Sequence, residues 1–250
     1  MSERRPSSGD SGSGPDRAPV QGYSRPLHGE QPPYLYEPYR STLKRAPRRP
    51  PIPLPHTVSE VTGPGFSKGW AGPDLTDLTR VGKDEALGQR IIVTGRLLDE
   101  HGTPIPASLV EVWQCNAAGR YLHDEDRHDA PLDPNFVGFG RAMTNDRGEY
   151  RFLTIRPGAY PWRNTSNAWR PAHIHFSLFG NAFATRLVTQ MYFPDDPLLA
   201  TDPIFNSVSD ESARNRLICD YDADLSEPEY ALGYRFDIVL RGRASTPVGQ

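Results

Sequence analysis

The chain has 250 residues, 36% of them hydrophobic, with 28 Lys and Arg against 31 Asp and Glu, which suits one sizeable β domain or two small ones. Charge is uneven: residues 1–56 hold 12 of the 26 prolines and carry about +4, leaving about −7 on the rest, and an acidic body excludes the basic stripe of a nucleic-acid surface. No segment approaches the roughly 18 apolar residues of a membrane span, and Cys115 and Cys219 stand alone, which excludes a disulfide framework or a zinc knuckle.

Residues 1–30 are rich in Ser, Gly and Pro and lack periodicity, so disorder is expected there. Arg4 and Arg5 are adjacent, but no apolar h-region follows, so a signal peptide is not expected and the chain reads as cytoplasmic. Residues 31–89 read as a Pro-rich arm. The stretches "PPYLYEPYRS" and "RRPPIPLP" exclude helix and favour an extended path, with Tyr34, Tyr36 and Tyr39 available for burial against a partner surface.

From residue 90 to about 245 the pattern is that of a sheet protein. "RIIVTGRLLD" leads through the turn "DEHG" to "SLVEVWQ"; "RAMT" and "EYRFLTI" flank "NDRG"; "AHIHFSLF" and "TRLVTQMYF" flank "GNAFA". In "YRFDIVLRG", Tyr234, Phe236, Ile238 and Leu240 alternate with Arg235, Asp237, Val239 and Arg241. Period-two alternation with Asp, Asn and Gly turns predicts an all-β, antiparallel sandwich. One short helix is predicted, over residues 210–218.

The stretch "RPAHIHF", residues 170–176, carries chemistry. On a strand every second side chain shares a face, so His173 and His175 stand together while Ala172, Ile174 and Phe176 face the other way. Two imidazoles among apolar neighbours need partners, and a metal ion is a common one. A facial triad would want a carboxylate shortly downstream, yet Phe176 to Gly180 supply none. A zinc site would want a third His or Cys. His123 and His128 are available, in a charged segment that reads as a surface loop. Tyrosine is the other donor: Tyr121 follows the strand "VEVWQ", and Tyr160 lies in the Pro/Gly loop "IRPGAYPWRN".

Six stretches keep their order and spacing: "GRY", "PLDPNFVGFGR", "IRPGAYPWRN", "WRPAHIHF", "LVTQMYFPDDP" and "YRFDIVLRG". On these residues the chain, from about 34 to 243, resembles the intradiol ring-cleaving dioxygenases. The resemblance implies one non-haem Fe(III) per chain, held by Tyr121 and His173 as equatorial ligands and by Tyr160 and His175 as axial ones. It implies 3,4-dihydroxybenzoate (protocatechuate) as substrate, bound through both hydroxyls, with Tyr160 and a hydroxide taking up its two protons. Cleavage with O2 between the hydroxylated carbons would give 3-carboxy-cis,cis-muconate.

By the same resemblance Arg170 lies beside the substrate, Gln190 helps position oxygen-derived species, and Trp113, Trp162 and Ile204 wall the pocket. Tyr39, in the arm, would reach the substrate carboxylate. A homologous α subunit would complete the pocket and form αβ units of a larger assembly. The family commonly has proline where Ala159 stands here, which could loosen the Tyr160 loop. Alternative readings are cleavage of catechol or hydroxyquinol, or a non-catalytic β-sandwich subunit of such a complex.

Overall fold

A computed structural model describes residues 29–49, 51–52, 72–180 and 186–249. Of residues 1–30, where disorder is expected, 1–28 lie outside the described residues, as does most of the "GNAFA" turn, whereas Gly29 and Glu30 are placed, Gly29 O accepting from Asp210 N at 3.0 Å. Among the described residues no helix is long and apolar enough to cross a membrane.

Two sheets pack face to face. The first is built on β1 (Arg90–Leu98), whose one edge pairs antiparallel with β4 (Glu149–Ile155) from Arg90↔Ile155 to Arg96↔Glu149. Its other edge pairs parallel with β10 (Leu232–Arg235) and then β11 (Ile238–Val239). β9 (Asp220–Tyr221) pairs with β10. The second sheet is antiparallel throughout, in the order β3 (Phe139–Met143), β2 (Leu109–Trp113), β7 (His173–Phe179), β8 (Arg186–Tyr192). The all-β sandwich expected from the alternation is the observed architecture.

The inward faces meet in one apolar core. Ile91, Val93, Phe152, Tyr234 and Phe236 from the first sheet pack with Val110, Val112, Ile174, Phe176 and Met191 from the second. Each such side chain contributes roughly 1.5–3 kcal/mol by leaving water. Because Ile174 and Phe176 point inward, His173 and His175 must point out of the sandwich from the second sheet. The site therefore lies on that sheet's outer face.

Three elements differ from the sequence reading. "YRFDIVLRG" is two strands, because the Asp237 carboxylate takes the β1 amide of Arg96 at 2.8 Å in place of a ladder carbonyl. Gly95 lies opposite this break, where any Cβ would overlap the Phe236 carbonyl. The Tyr160 segment, read as a loop, is β5 (Tyr160–Trp162), a short ribbon with β6 (Ala168–Arg170). The predicted helix is shorter, Glu211–Asn215, and is capped by Asp210, which accepts from Ala213 N at 2.7 Å.

The arm also departs from an extended path. Its residues turn at Tyr36–Tyr39 and form one helical turn, Thr42–Arg45. Tyr39 is buried, but Tyr34 is 64% exposed. The described part of the arm rests on its own chain. Arg40 N donates to Asn164 Oδ1 at 2.9 Å, and Asn164 Nδ2 donates to Pro38 O at 2.7 Å. Residues Leu75–Thr79, read with the arm, bridge to β3 at Arg141 and to β4 at Leu153, and Leu78 is fully buried in the core.

Candidate metal centre

The register of the second sheet assembles the outer face. Trp113, His175 and Gln190 form one cross-strand row over β2, β7 and β8, and His173 lies opposite Tyr192 in the next. The Trp113 indole stacks on the His175 ring at 4.8 Å and 1°. The two Nε2 atoms of His173 and His175 face each other at 3.2 Å. His173 Nδ1 lies 2.7 Å from Pro171 O, so Nδ1 carries the hydrogen and Nε2 presents its lone pair.

The tyrosines arrive from two turns tied together by one residue. Asn116 O accepts from Gly119 N and from Gly158 N, both at 3.0 Å. Asn116 Oδ1 accepts from Ala118 N and Arg120 N, which shapes the turn before Tyr121. The Tyr121 and Tyr160 rings meet edge to face at 5.4 Å, and Tyr160 lies 5.5 Å from the His173 ring. Tyr160 is also paired with Arg170 across the β5–β6 ribbon. The rings Tyr121, Tyr160, His173, His175 and Trp113 thus form one contiguous series.

Burial sets the protonation of this set. Burial, then the neighbouring Tyr160, holds the Tyr121 phenol well above its ordinary value. Burial also raises Tyr160, against the pull of Arg170. Burial, then Arg170, pushes His175 down to about 3 and His173 well below its ordinary value. Both imidazoles are therefore neutral at pH 7. For Arg170 burial acts downward, but Tyr192 and Asp202 outweigh it and keep the guanidinium charged.

These residues fit a hard trivalent cation. The buried Tyr121 hydroxyl has no hydrogen-bond partner among the described residues, a costly condition that a coordination bond would relieve. The two neutral Nε2 atoms converge beside it. Among the described residues no three His, Cys, Asp or Glu side chains converge, so no ordinary zinc set is built. Phenolic oxygen with imidazole nitrogen disfavours soft, thiolate-seeking metals. His123 and His128 stay on the rim: His123 Nδ1 accepts from Glu125 N, and His128 packs on Trp169.

A cleft of about 970 Å³ opens over the set, lined by Trp113, Tyr121, Tyr160, Trp162, Arg40 and Arg163 among others. Arg170, His173 and Gln190 lie beneath it, each 3% exposed or less. Arg170 lies under the Trp162 ring at 5.5 Å. Tyr39 packs against the Trp162 ring at 5.4 Å, and Ile204 is buried beside Asp202; neither lines the cleft.

Sequence reasoning missed Tyr192, Asp202, Asn116 and Asn164. Tyr192 was findable, two residues from Gln190 on the same strand face. Asp202 is in a loop with no periodicity, 32 residues from Arg170.

The chain is similar to known proteins over most of its length. The family described as "Dioxygenase" matches residues 61–242, and that described as "Protocatechuate 3,4-dioxygenase beta subunit N terminal" matches residues 23–57. The chain belongs to the intradiol dioxygenase family, an iron-dependent family. Within it, the chain is 59% identical over 219 residues to the protocatechuate 3,4-dioxygenase beta chain of Burkholderia cepacia, covering 87% of this chain and 93% of that one. It is 33% identical to the alpha chain of Pseudomonas putida, covering 77% and 95%. A solved hydroxyquinol 1,2-dioxygenase from Pseudomonas putida DLL-E4 superposes with a TM-score of 0.51 at 25% identity, covering 71% of this chain and 63% of that one.

Proposed function

We propose that the chain is the iron-bearing subunit of an enzyme that cleaves 3,4-dihydroxybenzoate with O2 to 3-carboxy-cis,cis-muconate. The observation that carries this reading is the convergence of two buried tyrosines and two neutral, facing imidazoles beneath one cleft. Tyr121, Tyr160, His173 and His175 would hold one Fe(III) per chain. When bound, that ion supplies Lewis-acid polarisation of the two substrate oxygens.

The protein's own groups do the rest. Tyr160, on a three-residue ribbon strand outside both sandwich sheets, would be a phenolate when the ion is held, and its Oη is then the group that takes up one substrate proton. Arg170 directs positive charge at the aromatic ring as electron density builds there. Gln190, across from His175, positions oxygen-derived species. Trp113 and Trp162 exclude water over the reacting carbons, with Ile204 supporting from behind. Tyr39, packed on the Trp162 ring, is the arm residue that would act toward the substrate carboxylate, from behind that cleft wall.

A homologous α-type chain completes the pocket in an αβ unit of a larger assembly. Leu35, Leu43 and Ile52 support this, since the arm exposes all three at more than half their surface. Co-expression with such a chain, iron analysis and oxygen uptake on a substrate panel test the reading. A red-brown protein that turns over 3,4-dihydroxybenzoate faster than catechol or hydroxyquinol is expected. A colourless, iron-free assembly, or faster catechol turnover, would overturn it.

A further inference from the structure

The Arg170 guanidinium sits in a cage that the catalytic roles above leave unexplained. Its Nη2 has two hydrogens facing three oxygens: Gln190 Oε1 at 2.7 Å, Tyr192 Oη at 2.8 Å and Asp202 Oδ2 at 2.8 Å. Its Nη1 lies 3.2 Å from His173 Nε2, and its buried Nε has no partner among the described residues. Asp202 itself is 0% exposed. A carboxylate is the strongest of the three acceptors because both partners are charged.

Asp202 is held as firmly as it holds. Its Oδ1 accepts from Ile204 N at 3.1 Å, and its own N donates to Leu198 O at 3.0 Å. Its carbonyl accepts from Asn206 N at 3.0 Å and from Asn206 Nδ2 at 2.9 Å. The carboxylate therefore has one orientation, fixed by a turn whose hydrogen bonds, among the described residues, reach none of the four candidate metal ligands. With Nη2 pinned on that side, the guanidinium plane is set: Nη1 is directed at His173 Nε2, and the group lies beneath the Trp162 ring that lines the cleft.

Resting on the reading above, we propose that Asp202 is a positioning residue: it aims Arg170 at the reacting ring and contributes to turnover only through that guanidinium. Asp202→Asn is the informative change. An asparagine can offer oxygen to Arg170 Nη2 or to Ile204 N, but its amide then points a donor at the other. The guanidinium loses its fixed plane while the volume stays the same.

The test uses the αβ complex and scores kcat per bound iron in a cycle of Asp202→Asn, Arg170→Met and the double variant. A guanidinium misplaced by about 1 Å costs on the order of 100-fold in rate, and that drop is expected in kcat, with iron content and the visible spectrum retained. In the Arg170→Met background Asp202→Asn should add nothing. The second readout needs no turnover: the ¹⁵N–¹H signals of the Arg170 side chain in iron-free protein should change from restrained to freely rotating.

Wild-type kcat per iron in Asp202→Asn, or a full further loss in the Arg170→Met background, overturns the inference. Where Asp202→Asn fails to fold, Asp202→Glu carries the test, since it keeps the charge and shifts the carboxylate; an unchanged kcat there also overturns it. If the wild-type complex cleaves no dihydroxybenzoate, the proposed function fails instead, and the guanidinium signals still decide the role of Asp202.

Discussion

Gly119 tests whether the two tyrosines are brought together by backbone contact. It sits at φ +78°, in the left-handed region, one turn before Tyr121. A Cβ there would lie inside the 3.0 Å that real Cβ atoms do not cross, against the Ala159 carbonyl, and 3.3 Å from Tyr160 Cβ. Gly119→Ala therefore has two costs. The left-handed backbone costs about 1 kcal/mol for a residue with a Cβ, which the core absorbs. Relieving the overlap moves the Tyr160 ribbon away from Tyr121, and a displacement of about 1 Å at a reacting centre costs on the order of 100-fold in rate. The expected variant melts within a few degrees of wild type, yet binds iron substoichiometrically and turns over on the order of 100-fold more slowly. Denaturant unfolding, iron content and oxygen uptake separate the two effects. Wild-type iron and turnover in a folded Gly119→Ala would refute the claim that this contact sets the tyrosine pair.

Asn164→Ala removes both hydrogen bonds that hold the arm at Pro38 and Arg40, worth about 1 kcal/mol each. It should raise KM and speed tryptic cleavage at the arm's basic residues while leaving kcat per iron near wild type; a lower kcat with unchanged KM would sink the assignment of the arm to substrate contact. Tyr160→Phe should keep iron on the remaining three donors but slow substrate binding at least about 100-fold, as loss of a general base does; unchanged stopped-flow traces would refute proton uptake at Tyr160. Chelation of the iron should abolish colour and turnover but leave the β-sandwich folded by circular dichroism, because the ligand-bearing turns are tied by Asn116 and by strand ladders rather than by a metal; unfolding on chelation would contradict this.

The histidine face was legible because one face of β7 is apolar: Ile174 and Phe176 reach the core, and period two then decides where His173 and His175 go. Their cross-strand neighbours were not legible in that way. That Trp113 and Gln190 flank His175 depends on register, which strand sequences alone do not state. The Tyr160 ribbon was hidden by Pro161, which removes a ladder donor and makes a three-residue strand read as a loop. The break in "YRFDIVLRG" escaped because a side chain, Asp237, does the work of a backbone acceptor, and alternation carries no mark of that substitution. Asp202 escaped for a related reason: what makes it matter is a contact across 32 residues, with no local pattern to signal it.

The charges of the buried set explain how one fold can hold it. Taken alone, the protein groups are electrically balanced: two phenols kept protonated by burial, two imidazoles kept neutral, and one ion pair, Arg170 with Asp202 at 2.8 Å. Within this set no buried charge is left unpaired, the condition that most destabilises an interior. Ionising a free phenol at pH 7 costs roughly 4 kcal/mol, and more when it is buried, so neither tyrosine ionises until a strong cation compensates. A bound trivalent ion would do so, because its charge inverts the local pKa logic, and hard oxygen donors suit it better than they suit soft metals. In the proposed site a preference for a ferric ion would follow from desolvated phenols, and the buried Arg170 charge is tolerated because Asp202 already balances it.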